Sequence, residues 1–210
     1  TLDLIAKHDF LYGAIGVHPS ETEELNEEWM NWLEEKSNEK KVVAIGEIGL
    51  DYHWEEPARD IQKYWFIRQL DLARKVNLPV IIHSRDAAAD TLEIMKEHGR
   101  DLGGVIHCFS YGSEMAREYL KMGYYLGIGG VVTFTNAKKL KEVVKETPLD
   151  RIVLETDCPY LSPVPNRGKR NSSLNLPYVV DMIAELKGIT TEEVMEKTWE
   201  NAKALYRMTE

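Results

Sequence analysis

Four short apolar runs, each ending in a side chain suited to a metal ion, set the rhythm of the chain. They are VVAIGEIGLDYH (42–53), PVIIHSRDA (79–87), GGVIHCFS (103–110) and RIVLETDCPYL (151–161). Near-continuous β-branched runs bounded by Gly, Pro or charge predict strands buried on both faces, as in parallel sheets. Side chains alternate along a strand, so Val43, Ile45 and Glu47 share a face, as do Ile81 and His83, Val105 and His107, and Val153, Glu155 and Asp157. If those faces point inward, Glu47, His83, His107 and Asp157 converge at the carboxyl ends of their strands, where (β/α)8 barrels carry their active sites.

Between the runs the period changes to that of helices. Residues 1–10 read as the end of a helix, and a strand follows over 12–18. Ser20 and Glu23, in capping-box spacing, predict the start of a helix that runs to Ser37. Pro57 opens a long helix with Ile61, Trp65, Leu72 and Val76 at helical spacing, and Asn77 lies just beyond it. Asp86 is the expected cap of a helix that stops at Gly99. Then come a strand at 103–109, a helix at 113–122, a strand at 124–134, a helix at 136–146 and a strand at 152–157. Helices at 176–187 and 190–206 close the chain.

Six strands separated by helices, joined by right-handed crossovers, predict a parallel α/β sheet. A closed barrel needs eight strands, and the deficit falls at the N-terminus, where Thr1 opens in mid-helix. The expectation is therefore one domain over 1–210, a TIM-type (β/α)8 barrel lacking its first βαβ unit. Open sheet edges and apolar surface would then invite oligomerisation or disorder. An open doubly wound sheet also fits the count, but its ligands would gather at one switch point.

Composition narrows the partners. The 210 residues are 43% hydrophobic and 29% charged, with a net charge of −9. This argues against a broad basic face for duplex nucleic acid, so a polyanion must be held locally by metal and a few Arg or Lys. Cys108 and Cys158 each follow a proposed ligand by one position, and alternation turns them toward the helices as buried free thiols. Without a disulfide framework, signal peptide or membrane-spanning run, the cytoplasm is the expected compartment.

The four proposed ligands make a mixed N/O set suited to zinc, manganese or a related divalent ion, with magnesium less favoured by imidazole. Glu47 can bridge two ions. His83 and His107 would complete the shell of one, while Asp157 would bind the other, hold the attacking water and shuttle its proton. Glu155 reads as a carboxylate that orients a ligand histidine. Arg85 reads as a phosphate contact or a loop ion pair, and His18 as a substrate contact. Arg167, Lys169 and Arg170 form the concentrated basic cluster, on a Gly-containing loop that suits a phosphodiester.

Taken together and in order, AIGVHP, AIGEIGLDYH, PVIIHSRDA, IHCFS, ETDCPYLSP and NRGKRN resemble the TatD family of metal-dependent deoxyribonucleases, within the amidohydrolase superfamily. The resemblance implies a TIM-type barrel with one or two divalent ions (zinc, manganese or magnesium) that hydrolyses DNA, often from single-stranded ends. It places the bridging Glu at Glu47, the two later His ligands at His83 and His107, and the Asp at Asp157. Two features depart from it: nothing before Thr1 supplies the family's His-x-His pair, and Asn171-Ser172-Ser173 stands where Asn-Glu-Pro is usual. The first leads to the expectation that this chain binds one ion better than two and has little or no activity. A hydrolase of small esters, lactones or amides and a non-catalytic metal-binding scaffold are the alternatives.

Overall fold

The computed structural model describes residues 1–208. Its elements are α1 (Leu2–Lys7), β1 (Gly13–Ile15), α2 (Glu27–Lys36), β2 (Val42–Asp51), α3 (Arg59–Val76), β3 (Val80–Arg85) and α4 (Ala88–His98). There follow β4 (Gly104–Ile106), α5 (Ser113–Lys121), β5 (Tyr125–Ile128), α6 (Lys138–Glu146), β6 (Ile152–Leu154), α7 (Leu176–Lys187) and α8 (Thr191–Tyr206). The hydrogen-bonded strand order is the chain order, and β1 with β2, β2 with β3 and β5 with β6 pair in parallel. Each parallel step needs a crossover, which the intervening helices supply. The described residues form two compact units, Thr1–Val105 with residues 205–208, and Ile106–Ala204.

In the first unit β2 is the core strand. Ala44, Ile45, Ile48 and Leu50 are each 0% exposed, so both faces are covered, as the apolar run predicted. Burying each of the larger aliphatics contributes about 1.5–3 kcal/mol. The helix packed on β2 is α3, and its buried positions are Gln62, Phe66, Gln69, Leu70, Leu72 and Ala73. The face expected from Ile61, Trp65, Leu72 and Val76 is thus corrected, since only Leu72 of those four is buried. Two glutamines occupy the true inner face, and a search for apolar periodicity passes over them. The left-handed Asn77 (φ 55) then ends α3, a conformation Asn tolerates well.

In the second unit Leu126, Ile128 and Ile152 of β5 and β6 are buried, as are Val179, Val180 and Ile183 of α7. The boundaries of α7 fall where expected, closed by left-handed Gly188. A capping box precedes α8: the Glu193 amide donates to Thr190 Oγ1 (3.1 Å), and the Thr190 amide donates to Glu193 Oε2 (2.8 Å). Both satisfy amides that the helix itself leaves unpaired.

Several sequence expectations fail at element ends. Residues Pro19–Glu24 form a 3-10 helix, and α2 starts after Asn26, whose Oδ1 accepts from the amides of Glu28 (3.0 Å) and Trp29 (3.1 Å). No Ser20–Glu23 capping box forms, because Ser20 is engaged by His18. Asp86 does not cap α4; it is left-handed (φ 53), and its carboxylate lies 3.4 Å from His53 Nδ1. The strand expected over 124–134 ends at Ile128 and becomes a 3-10 helix over Gly130–Thr133. A Cβ on Gly130 would lie 2.2 Å from the Leu161 carbonyl, so this turn is pressed against the loop after β6. The strands at 103–109 and 152–157 stop at Ile106 and Leu154. Cys108 is partly exposed and Cys158 exposed, so the expected burial of both is corrected, while both are free thiols as expected. Among the described residues no helix is long and apolar enough to cross a membrane.

One buried amide offers a test of the second unit. Asn201 Nδ2 donates to the carbonyls of Leu149 (2.8 Å) and Ile152 (2.7 Å). Asn201→Ala is expected to cost about 1–3 kcal/mol by leaving buried acceptors unpaired. Urea denaturation should show a lower midpoint at unchanged slope, whereas an unchanged midpoint would refute the role.

Candidate metal centre

In the first unit the side chains of interest come from β2, β3 and the segment after β1. Glu47 and Asp51 lie on β2 and His83 on β3. The strands approach closely here. Gly49 adopts φ 144, and a Cβ on it would lie 1.9 Å from the His83 carbonyl, so only glycine lets β2 pass this point.

His83 lies between two carboxylates. Its Nε2 is 3.2 Å from Asp51 Oδ2, and its Nδ1 is 3.6 Å from Glu47 Oε2. An ionised carboxylate can only accept, so the Nε2–H donates to Asp51 and the lone pair of Nδ1 is on the Glu47 side. The His18 ring packs edge-on against His83, with centroids 4.3 Å apart. Burial is the main cause holding the His18 pKa below the ordinary histidine value, and the neighbouring His83 adds to it.

Two amides of α3 secure these positions. Gln69 Oε1 accepts from the Val17 amide (2.7 Å) and its Nε2 donates to the Val17 carbonyl (3.1 Å), which fixes the backbone just before His18. Seven residues earlier, Gln62 Oε1 accepts from the Asp51 amide (2.9 Å) and its Nε2 donates to the Asp51 carbonyl (3.0 Å). The same Nε2 donates to the Pro57 carbonyl (2.8 Å).

In the second unit His107 also lies between two carboxylates. It sits in the turn after β4, and Glu155 and Asp157 lie in the segment after β6. His107 Nδ1 donates to Glu155 Oε2 at 2.8 Å, and the Cys108 amide donates to the same oxygen at 3.0 Å. On the other side of the ring, Nε2 is 3.6 Å from Asp157 Oδ1. Strand alternation cannot have placed Glu155 and Asp157, because the strand has ended and Asp157 is left-handed (φ 53). Glu155 fits the orienting role expected of it. Gly127 makes room, since a Cβ there would lie 2.3 Å from Glu155 Oε2. Glu155 Oε1 is buried without a hydrogen-bond partner.

The two outer separations test whether these residues fit a cation. At 3.6 Å they exceed a hydrogen bond. Ligand atoms about 2.1 Å from an ion and set at tetrahedral angles stand about 3.4 Å apart. Each histidine therefore presents an unprotonated nitrogen and a carboxylate oxygen at the spacing of two ligands, with its other nitrogen fixed by a second carboxylate, as ligand histidines commonly are.

His18, Asp51 and His83 also bring ligand atoms within 4.8 Å of one another, but proton positions argue against that trio. The Ser20 amide donates to His18 Nδ1 at 3.2 Å. Neutral His18 then carries its proton on Nε2 and offers no lone pair there. His18 Nε2–H is instead a hydrogen-bond donor.

The remaining predicted residues are exposed. Arg85 ends β3. The Arg167 guanidinium lies over the Phe134 ring at 4.2 Å, while Lys169 and Arg170 face solvent. Their loop is tied down by amides. Asn171 Nδ2 donates to the Thr156 carbonyl (2.7 Å), Asn175 Nδ2 to Asn171 Oδ1 (2.9 Å) and Asn166 Nδ2 to Asn175 Oδ1 (3.0 Å). The residues that sequence reasoning missed are Asp51, Gln62 and Gln69. Asp51 had a usable signal, since it is in phase with Glu47 and Gly49 along β2.

Comparison with known proteins gives the family. The family model for TatD related DNase matches residues 1–207. The chain belongs to the TatD family of metal-dependent hydrolases. It is 53% identical over 208 residues to the uncharacterized metal-dependent hydrolase YabD of Bacillus subtilis, covering 99% of this chain and 82% of that protein. It is 35% identical over 209 residues to the 3'-5' ssDNA/RNA exonuclease TatD of Pantoea vagans, covering 97% and 80%. The crystal structure of YJJV, a TatD homologue from Escherichia coli K12, superposes with a TM-score of 0.92 at 31% identity, covering 99% and 81%.

The glycine beneath Glu155 provides a test. Gly127→Ala is expected to push Glu155 off His107 and weaken divalent-metal binding about 10–100-fold, the usual effect of losing such a partner. Metal affinity by chelator competition checks this, and wild-type affinity would refute it.

Proposed function

We propose that this chain is a divalent-metal-dependent phosphodiesterase that hydrolyses DNA from single-stranded ends. The observation that carries this reading is the repeated arrangement of a histidine held by one carboxylate and facing another at 3.6 Å, in His83 with Glu47 and in His107 with Asp157. These four side chains are the proposed metal ligands, and one or two ions of zinc, manganese or magnesium suit them. The name of the Pantoea relative supports a nucleic-acid substrate, as does the basic loop.

When bound, the cation supplies Lewis acidity toward a phosphoryl oxygen. Glu47, beside His83, and Asp157, beside His107, would each balance positive charge at their own ring. Asp157, with its side chain 33% exposed, can take the proton of an attacking water. The His18 Nε2–H donates to a phosphate oxygen, and being neutral it does so without placing a second positive charge beside the ion. Arg85, Arg167, Lys169 and Arg170 hold neighbouring phosphates, with Arg167 held over Phe134. Two free thiols suit a reducing compartment, the cytoplasm.

The test is hydrolysis by the purified chain with manganese, magnesium or zinc, using a 3'-labelled single-stranded oligonucleotide and a small chromogenic phosphodiester. Both should be cleaved. Glu47→Ala and Asp157→Ala should each lower kcat by about 10²–10⁴, the scale of lost proton transfer. Cleavage of small esters or lactones but of neither phosphodiester would reject the nuclease assignment, and wild-type rates in both variants would reject the ligand assignment.

A further inference from the structure

Asp51 is 4% exposed, and both of its carboxylate oxygens are in use. Oδ2 faces the His83 Nε2–H at 3.2 Å, while Oδ1 accepts from the His53 amide at 3.0 Å. Its backbone is held on both sides by Gln62, itself only 1% exposed. A residue so restrained cannot swing toward a ligand, but it can dictate the state of the ring it touches. We propose that Asp51 is a positioning residue and not a metal ligand: by holding the His83 proton on Nε2, it leaves Nδ1, on the Glu47 side, as the coordinating nitrogen.

This inference rests on the metal-centre reading above and adds which nitrogen binds and why. Three observations support it. The trio of His18, Asp51 and His83 lacks a lone pair at His18 Nε2, because the Ser20 amide occupies Nδ1. Gln62 holds the Asp51 main chain, and the His53 amide holds its Oδ1. Glu155 does the converse for His107, holding Nδ1 and leaving Nε2 on the Asp157 side. The two histidines thus present opposite ring nitrogens, each selected by a carboxylate fixed beside it.

Replacing Asp51 by Asn keeps the shape but removes the selection, because an amide can accept from Nε2–H or donate to a bare Nε2. Zinc affinity should fall about 10–100-fold in Asp51→Asn. The cobalt(II)-loaded variant should keep the d–d absorption of the wild type, since no ligand is lost. Unchanged affinity, or an altered absorption envelope showing a changed coordination shell, would overturn the proposal. Histidine 15N NMR of the metal-free wild type, with His83 assigned from His83→Ala, gives a readout that needs no folded Asp51 variant. His83 should be the Nε2–H tautomer, and an Nδ1–H tautomer would overturn the proposal. Failure of the wild type to bind zinc or cobalt would overturn the metal reading along with it. Loss of binding in His83→Ala but not in Asp51→Asn would overturn only the role of Asp51.

Discussion

A buried primary amide must place both its donors and its acceptor, and α3 carries two such amides on its inner face. Gln62 and Gln69 are each 1% exposed, and an unpaired amide at that depth would cost about 1–3 kcal/mol. Each pairs its acceptor and one donor with the N–H and C=O of a single residue, as a neighbouring strand would, and Gln62 places its second donor on the Pro57 carbonyl. Their seven-residue spacing puts both on one helix face. A single helix thus sets the backbone at Val17 and Asp51, and from there the rings of His18 and His83.

The same economy of proton positions governs both histidine pairs. A carboxylate accepts and cannot donate, and a backbone amide donates and cannot accept, so these partners leave each ring one choice of tautomer. His83 is fixed by Asp51 and His107 by Glu155, while His18 is fixed by the Ser20 amide. Holding acidic groups beside partly buried imidazoles is unfavourable without compensation. A cation held by His83 with Glu47, or by His107 with Asp157, would supply that compensation; Glu155 Oε1 is buried without a hydrogen-bond partner. The basic loop is held by side-chain amides of Asn166, Asn171 and Asn175, so its charges project from a braced segment despite the overall charge of −9.

The sequence by itself determined the alternation of strands and helices, the core character of β2, the ends of α7 and the family. These are local or short-range properties, set by apolar runs, helical period, Gly188 and a string of motifs. It also singled out Glu47, His83, His107, Asp157 and Glu155 as the chemically loaded positions. Strand alternation, however, was the wrong reason for Glu155 and Asp157: β6 ends at Leu154, and a left-handed Asp157 after an irregular segment brings its carboxylate near His107. Periodicity likewise missed the inner face of α3, because a polar residue that is fully satisfied leaves no mark in an apolar pattern. Only the tertiary structure decided which carboxylate bonds to a ring and which faces its other nitrogen, because that depends on atoms tens of residues apart. The Asp51–His83 contact spans 32 residues and the Glu155–His107 contact 48, and no local rule reaches so far.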